Sequence, residues 1–418
     1  MKHLRYKALL NLLFAVLFCT GSLTAKTIVV CSSCETTSVK KAIEQAADGD
    51  TILIKKGVYK EYSIIVVEKS LTILGENNPV IDGQLKGTIF SVKAKNVTID
   101  GLTIKNVGSS FTKEFAAILL SYAENFTITN LTIENAFFGI LIEKSNTGLV
   151  SNNTISGNAT DQAAAGNGIH LWHSKNVTIK NNTIFKMRDG IYLEFADQCY
   201  IEENTAKNNL RYGLHFMFSN TNEYHYNFFE NNGAGVAVMF SKNIIMHNNT
   251  FRKNWGPASY GLLLKEINDA ELKHNTFEDN TIAINADGTN RINYYQNNFI
   301  GNGYAIKVLG ACYENQFIQN NFVHNSFDMA YAGRVNNNVF NNNYWSDYSG
   351  YDLDKDGIGD VPYRPVKLFS YLVNKTPEAI VLLRSLFIDI IDFSEKVSPI
   401  FTPSELVDEH PKMKQITW

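Results

Sequence analysis

Proline is scarce in this chain, with 8 in 418 residues, which argues against a Pro-rich linker between domains. An excess of one charge is missing too. The formal net charge is −3 and charged residues make up 19%, so there is no basic footprint for nucleic acid. Cysteine is rare, and the 5 present divide by position. Cys19 lies in the leader described next, and Phe18 before it is too bulky for a lipid-attachment signal. Cys31 and Cys34 form a C-x-x-C, read either as a local disulfide in an oxidising compartment or as a soft-metal transfer pair. Cys199 and Cys312 are several repeats apart and read as single buried thiols. Apolar runs near membrane-spanning length are missing, the longest candidate being N-terminal. Lys2, Arg5 and Lys7 precede an apolar run from Ala8 to Phe18, and small or polar residues follow to Ala25. With these flanks the run is too short to span a bilayer and reads as a secretory signal over residues 1–25. The mature chain is therefore expected to be exported.

What the chain has instead is aromatic residues and a repeat. Aromatics make up 12%, with 20 Tyr and 26 Phe, which suits a long β core. Residues 26–94 open with a strand (Thr27 to Val30) and a helix (about Val39 to Ala47). Then come Gly49-Asp-Thr-Ile-Leu-Ile54, Gly57-Val-Tyr-Lys-Glu61, Leu71-Thr-Ile-Leu-Gly75 and Ile81-Asp-Gly83. This entry resembles that of the right-handed parallel β-helix proteins of the pectate-lyase-like superfamily, where a cap covers the open apolar end of a solenoid. Over residues 95–346 an Asn opening a tight corner recurs at Asn153, Asn182, Asn204, Asn227, Asn249, Asn275, Asn298 and Asn321, mostly 22 or 23 residues apart. Gly139, Gly168, Gly190, Gly213, Gly235 and Gly261 keep pace. Such a period is one solenoid turn of three short strands, with Asn side chains stacked at the corners. Longer steps place loops near residues 161–166 and 254–259. The expected fold is all-β: a right-handed parallel β-helix with an N-terminal helical cap and a C-terminal helical tail.

The array closes at Asn341-Asn-Asn-Tyr-Trp-Ser-Asp-Tyr348. Within residues 347–366, Asp352, Asp354 and Asp356 with Gly357 have the spacing of the first half of an EF-hand loop, and Asp360 falls at its ninth position. Position twelve is Tyr363 rather than Glu, so a structural Ca2+ site and a plain Asp-rich turn both remain open. Residues 367–418 differ in kind. Thr376 suits an N-cap and Pro377 a first helical residue. Leu382, Leu386, Ile390 and Phe393 belong to a broad apolar surface, while Ser385, Asp389, Asp392 and Lys396 make a narrow polar stripe. The helix is read as lying against its own solenoid or a membrane partner.

Gly213-Leu-His-Phe-Met-Phe-Ser219 and Gly235-Val-Ala-Val-Met-Phe-Ser241 are near-copies one turn apart. Strand alternation sends Leu214, Phe216, Val236 and Val238 inward and His215, Met217 and Met239 outward. In register, Glu143, Trp172, Glu194, Met217, Met239 and Lys265 form one outward row. Leu141, His170, Tyr192, His215, Ala237 and Leu263 form the next. Thioethers select Cu(I), so Met217, Met239 and His215 are the leading copper candidates, with an apolar partner surface as the alternative. Glu194, His170 and His173 flank them; His225 and His247, with His274 nearby, form a second, weaker pair.

These residues add up to a family resemblance. Gly190-Ile-Tyr-Leu-Glu-Phe195, the two phrases above, Tyr260-Gly-Leu-Leu-Leu-Lys265 and the stretch from Tyr344 to Pro365 resemble the NosD family over essentially the whole mature chain. The resemblance implies a periplasmic copper-binding accessory protein, docked on an ABC transporter of membrane permease and ATPase subunits. It also implies a copper chaperone and nitrous-oxide reductase as partners in copper-site assembly, with membrane contact only through the permease or the tail and no catalysis by the chain itself. The C-x-x-C is not part of that pattern. The rival class is a carbohydrate-active enzyme on the same fold, a uronate polymer lyase, hydrolase or epimerase, for which Asp189, Arg188, Glu194, Arg211 and Lys265 lie on adjacent turns. A paired-acid motif is missing. A passive adhesin is a third class, and the amphipathic tail weighs against it.

Overall fold

A computed structural model describes residues 25–110, 112–383, 385–397 and 406–418. All but the last residue of the export signal read over residues 1–25 lies outside them. A strand, Thr27–Val30, and a helix α1, Val39–Gln45, come first. Ser38 caps α1 through Lys41 N, and the Glu61 carboxylate accepts from Val39 N and Lys40 N at 3.0 and 2.9 Å. Val39, Ala42 and Ile43 on one side of α1 join the core of the first strands.

The rest is a parallel β-solenoid. One turn consists of strands Tyr212–Met217, Glu223–His225 and Phe228–Glu230, and the next of Ala234–Met239, Lys242–His247 and Thr250–Arg252. Each strand pairs in parallel with its counterpart one turn on. The first two strand types run together into a 26-stranded sheet and the third makes a sheet of 13, so nearly every strand is flanked on both edges. Inward side chains stack in files. Phe229, Phe251, Phe277, Phe299, Phe322 and Trp345 form one buried file with ring centroids 4.0–5.4 Å apart. This is where much of the phenylalanine content goes.

Corners are built on single left-handed residues, and at one corner of most turns the next residue is a buried Asn. Asn152, Asn181 and Asn248 have φ of 55–57°, the region that Asn tolerates better than most residues. The next residue points inward and joins a ladder: Asn153, Asn182, Asn204, Asn227, Asn249, Asn275, Asn297, Asn320 and Asn343. Each Nδ2 reaches the next Oδ1 at 2.9–3.1 Å, and that same oxygen accepts the preceding rung's backbone N–H. Two rungs differ from the expectation. Asn298 and Asn321 are not in the ladder; they open the following strands, where Thr276 stands one turn earlier, and Asn297 and Asn320 are the rungs. A second ladder, Asn209 to Asn325, occupies another corner.

The C-terminal end corrects the sequence reading. Instead of one helix starting at Pro377, helix α2 (Leu368–Lys375), a 3-10 helix (Pro377–Leu382) and helix α3 (Leu386–Val397) follow in succession. Thr376 makes no side-chain cap. Phe369, Val373 and Ile388 bury themselves on Phe327, beside Tyr304, outside the last turns. Residues 406–418 return to the array. Asp408 is wholly buried, and its Oδ2 accepts from Asn343 N, Asn343 Nδ2 and Trp345 Nε1 at 2.9–3.0 Å. It is the last acceptor of the Asn ladder.

Candidate functional site

The outward face of the first strand type carries the site. In the central turns a Gly stands near the start of each such strand, at Gly139, Gly168, Gly190, Gly213, Gly235 and Gly261, for a steric reason: a Cβ on Gly213 would lie 2.7 Å from the Gly235 carbonyl oxygen. That close stacking holds the register. Glu143, Trp172, Glu194, Met217, Met239 and Lys265 are successive partners in one row. Leu141, His170, Tyr192, His215, Ala237 and Leu263 are partners in the row beside it. Leu214, Phe216, Val236 and Val238 are fully buried inside, while Met217 and Met239 are half-buried neighbours outside. Adjacent strands lie about 4.8 Å apart, within reach of two thioethers binding one ion.

His215 faces outward yet is only 5% exposed. Tyr192 stacks on it at 4.5 Å and Tyr212 leans over it at 4.8 Å. Neither ring nitrogen makes a hydrogen bond. Nδ1 faces Asp189 Oδ2 at 3.5 Å. Burial pushes the imidazole below the usual histidine range, opposed by Asp189, which favours the neutral ring that a metal needs. Asp189 is wholly buried; burial alone would raise its carboxyl, but Arg211 and then His215 hold it below the usual range. Arg211 Nε donates to Oδ1 at 2.8 Å and Nη2 to Oδ2.

His170 stacks on the opposite face of Tyr192 at 4.6 Å, with both ring nitrogens unbonded and Nε2 3.8 Å from Glu194. That contact with His170 is the largest influence holding the Glu194 carboxyl low. His170 and His215 are two strand spacings apart, about 9–10 Å, whereas metal–nitrogen bonds are about 2.0–2.1 Å, so they cannot share one ion. His173 is exposed at a left-handed corner and stacks on Phe195 at 4.8 Å, with Phe218 and Phe240 continuing the file. This phenylalanine file, exposed at Phe195 and Phe218 and half-buried at Phe240, escaped the sequence reading. Its signal was there: Phe218 and Phe240 each precede a buried Ser, at the corner where other turns carry Lys144 or Glu266.

The remaining candidates separate. His225 and His247 are cross-strand partners, but their Nε2 atoms meet Glu223 and Glu271 at 3.1 and 2.7 Å. His274 sits off their row, bonded to Gln296 and stacked near Trp418. Cys31 and Cys34 are joined in a disulfide, so in this state they offer no thiolate to copper. Cys199 and Cys312 are free and buried. Asp352, Asp354 and Asp356 bring carboxylate oxygens within 4.8 Å of one another, the only such grouping of three His, Cys, Asp or Glu side chains among the described residues. Asp360 instead accepts from Leu353 N at 2.7 Å. In the tail Pro377 opens the 3-10 helix, and Leu382, Leu386, Ile390 and Phe393 are exposed, Leu386 by 74%. No described helix is long and apolar enough to cross a membrane.

The donor set of the central patch fits copper. It offers two soft thioethers and a buried imidazole whose nitrogens are unbonded, where a hard cation would call for oxygen. Asp189, by contrast, has both oxygens occupied by Arg211 and is closed to solvent, which leaves no free catalytic carboxylate at that point.

Fold and site together define a parallel β-solenoid with a soft-donor patch on one flank and apolar helices at one end. The chain belongs to the NosD family: the model described as periplasmic copper-binding protein (NosD) matches residues 23–165 and 151–350. A relative in Pseudomonas aeruginosa, named probable ABC transporter binding protein NosD, is 27% identical over 84% of this chain and 85% of its own length. One of the same name in Stutzerimonas stutzeri is 27% identical over 83% and 84%. Among solved structures, a family 28 exopolygalacturonase of Yersinia enterocolitica superposes with a TM-score of 0.58 at 13% identity, over 75% of this chain and 78% of that one. The Streptococcus pneumoniae surface protein and adhesin PfbA gives 0.51 at 14%, over 77% and 98%. These two likenesses show the fold alone.

Proposed function

We propose that this chain is an exported, non-catalytic accessory protein that carries copper for an ABC transporter-linked machine assembling the copper site of nitrous-oxide reductase. The observation that carries the reading is the side-by-side register of Met217 and Met239 next to an imidazole with unbonded nitrogens. In this reading a copper chaperone delivers Cu(I) to Met217, Met239 and His215, and the patch holds it until the reductase takes it. Leu382, Leu386, Ile390 and Phe393 lie against the permease, whose ATPase subunits supply the energy. Both relatives' names, as ABC transporter binding proteins, support the docking half.

Competitive Cu(I) titration tests the metal half. Met217→Ala with Met239→Ala is expected to weaken Cu(I) binding at least a hundredfold and leave the melting temperature near wild type. Unchanged affinity sinks the reading. The Asp-rich loop is proposed to take Ca2+ for structure: calcium should raise the melting temperature, and Asp354→Asn should abolish the rise.

A further inference from the structure

Two buried outward histidines sit in the same row, and their surroundings differ at the position behind each ring. Behind His170, at the residue preceding the previous turn's strand Gly, stands Phe138, whose ring lies 6.0 Å away. Behind His215 the equivalent position is Asp189, with Oδ2 3.5 Å from Nδ1. The repeat supplies a second contrast. One turn earlier, Arg188 Nε meets the neutral Asn167 at 3.2 Å, and the residue outward of that pair is Tyr192, which needs no tautomer. Where the outward residue is an imidazole, the pair becomes Arg211 with a carboxylate. Arg211 grips both oxygens of Asp189, and the Tyr212 N–H points at Oδ1 from 3.3 Å, so the carboxylate cannot turn away.

A buried imidazole has two neutral tautomers and only one leaves a given nitrogen with a free lone pair. A carboxylate cannot donate, so its negative charge at 3.5 Å favours the tautomer with the proton on the nitrogen that faces it. We infer that Asp189, clamped by Arg211, is a positioning residue that holds the proton of His215 on Nδ1 and leaves Nε2, on the far side of the ring, free as the nitrogen donor of the thioether patch. This rests on the copper reading above. Ligating histidines are commonly oriented by a carboxylate on their other nitrogen. In this molecule the carboxylate comes from the preceding turn, so the solenoid register itself sets the tautomer.

Nitrogen-15 NMR of histidine-labelled full chain reads the tautomer directly. The metal-free wild type should show His215 protonated on Nδ1 and bare on Nε2; a His215 protonated on Nε2 overturns the inference whatever any variant does. Asp189→Asn keeps the shape but offers an amide donor to Nδ1, so it should reverse the tautomer and weaken Cu(I) binding ten- to a hundredfold. Because that change leaves Arg211 without its partner, Asp189→Asn with Arg211→Gln is measured beside it, and both should bind weakly. Unchanged affinity in the folded variants, with His215→Ala weakened, overturns the positioning role and leaves the copper patch standing. Unchanged affinity in His215→Ala would instead remove His215 from the site.

Discussion

Asp328 lies buried near the end of the solenoid, its Oδ2 accepting from Tyr363 OH at 3.2 Å and its Oδ1 from Asn325 Nδ2 at 3.4 Å. Burial, with repulsion from Asp347, pushes its carboxyl up to about 6. A raised folded-state value means the native protein binds the proton more tightly than the unfolded chain. The associated stability is complete below about pH 4 and is lost as pH rises through about 6. Asp328→Asn should therefore stabilise the protein above pH 6, by up to about 3 kcal/mol, and change little at pH 4. Thermal unfolding at both pH values checks this, and an equal gain at pH 4 would refute it. Single residues were unevenly legible in the sequence. The outward direction of His215, Met217 and Met239 follows from a period of two, which any short strand obeys. The alternation did not mark Phe195, Phe218 and Phe240, because a left-handed corner shows itself directly when Asn or Gly fills it; with phenylalanine there, only the buried Ser after Phe218 and Phe240 pointed to it.

The element that organises the fold is the corner ladder. Asn249 spends all its capacity there: Nδ2 donates to Tyr224 O and Asn275 Oδ1, and Oδ1 accepts from Asn227 N and Nδ2. Asn249→Ala would strand several buried polar groups and should cost about 3 kcal/mol or more. A loss of unfolding free energy in urea of under about 0.6 kcal/mol would show that water enters the corner and replaces the bonds. The solenoid, its period and its loops were readable because each turn repeats the same steric needs. The rungs at Asn297 and Asn320 slipped by one residue in the sequence because Asn298 and Asn321 follow them directly, in the place Thr holds in most turns. The tail was misread for a different reason. Its apolar residues divide between those packed on Phe327 and those left exposed, and a helical period alone cannot say which are which.

At the scale of the molecule, the C-terminal helices are not a free arm. Phe369 and Val373 of α2 pack on Phe327 before them, and the buried Asp408 beyond them binds Asn343, so the array is gripped on both sides of the helices. Asp408→Ala should release residues 406–418 and open the last turn, seen as rapid proteolysis confined to the C-terminal region while the central turns stay protected. Protection there equal to wild type would mean that Trp345 and its neighbours close the end unaided. Removing everything from residue 377 onward is thus a poor test of docking, since it also removes the closing carboxylate. Changing Leu386, Ile390 and Phe393 to Ser leaves that carboxylate in place, and these variants should lose the transporter while keeping their melting temperature. Fastening at both ends also has a geometric consequence. From Met239 the register runs through Lys265, Asp287 and Leu309 to Ala332, four steps of about 4.8 Å each. A machine gripping the helices would hold the thioethers at a fixed height of about 20 Å above its grip, with a stiff column of stacked turns as the gauge. Adding or deleting one whole turn between the two would move the thioethers by about 4.8 Å without touching either end.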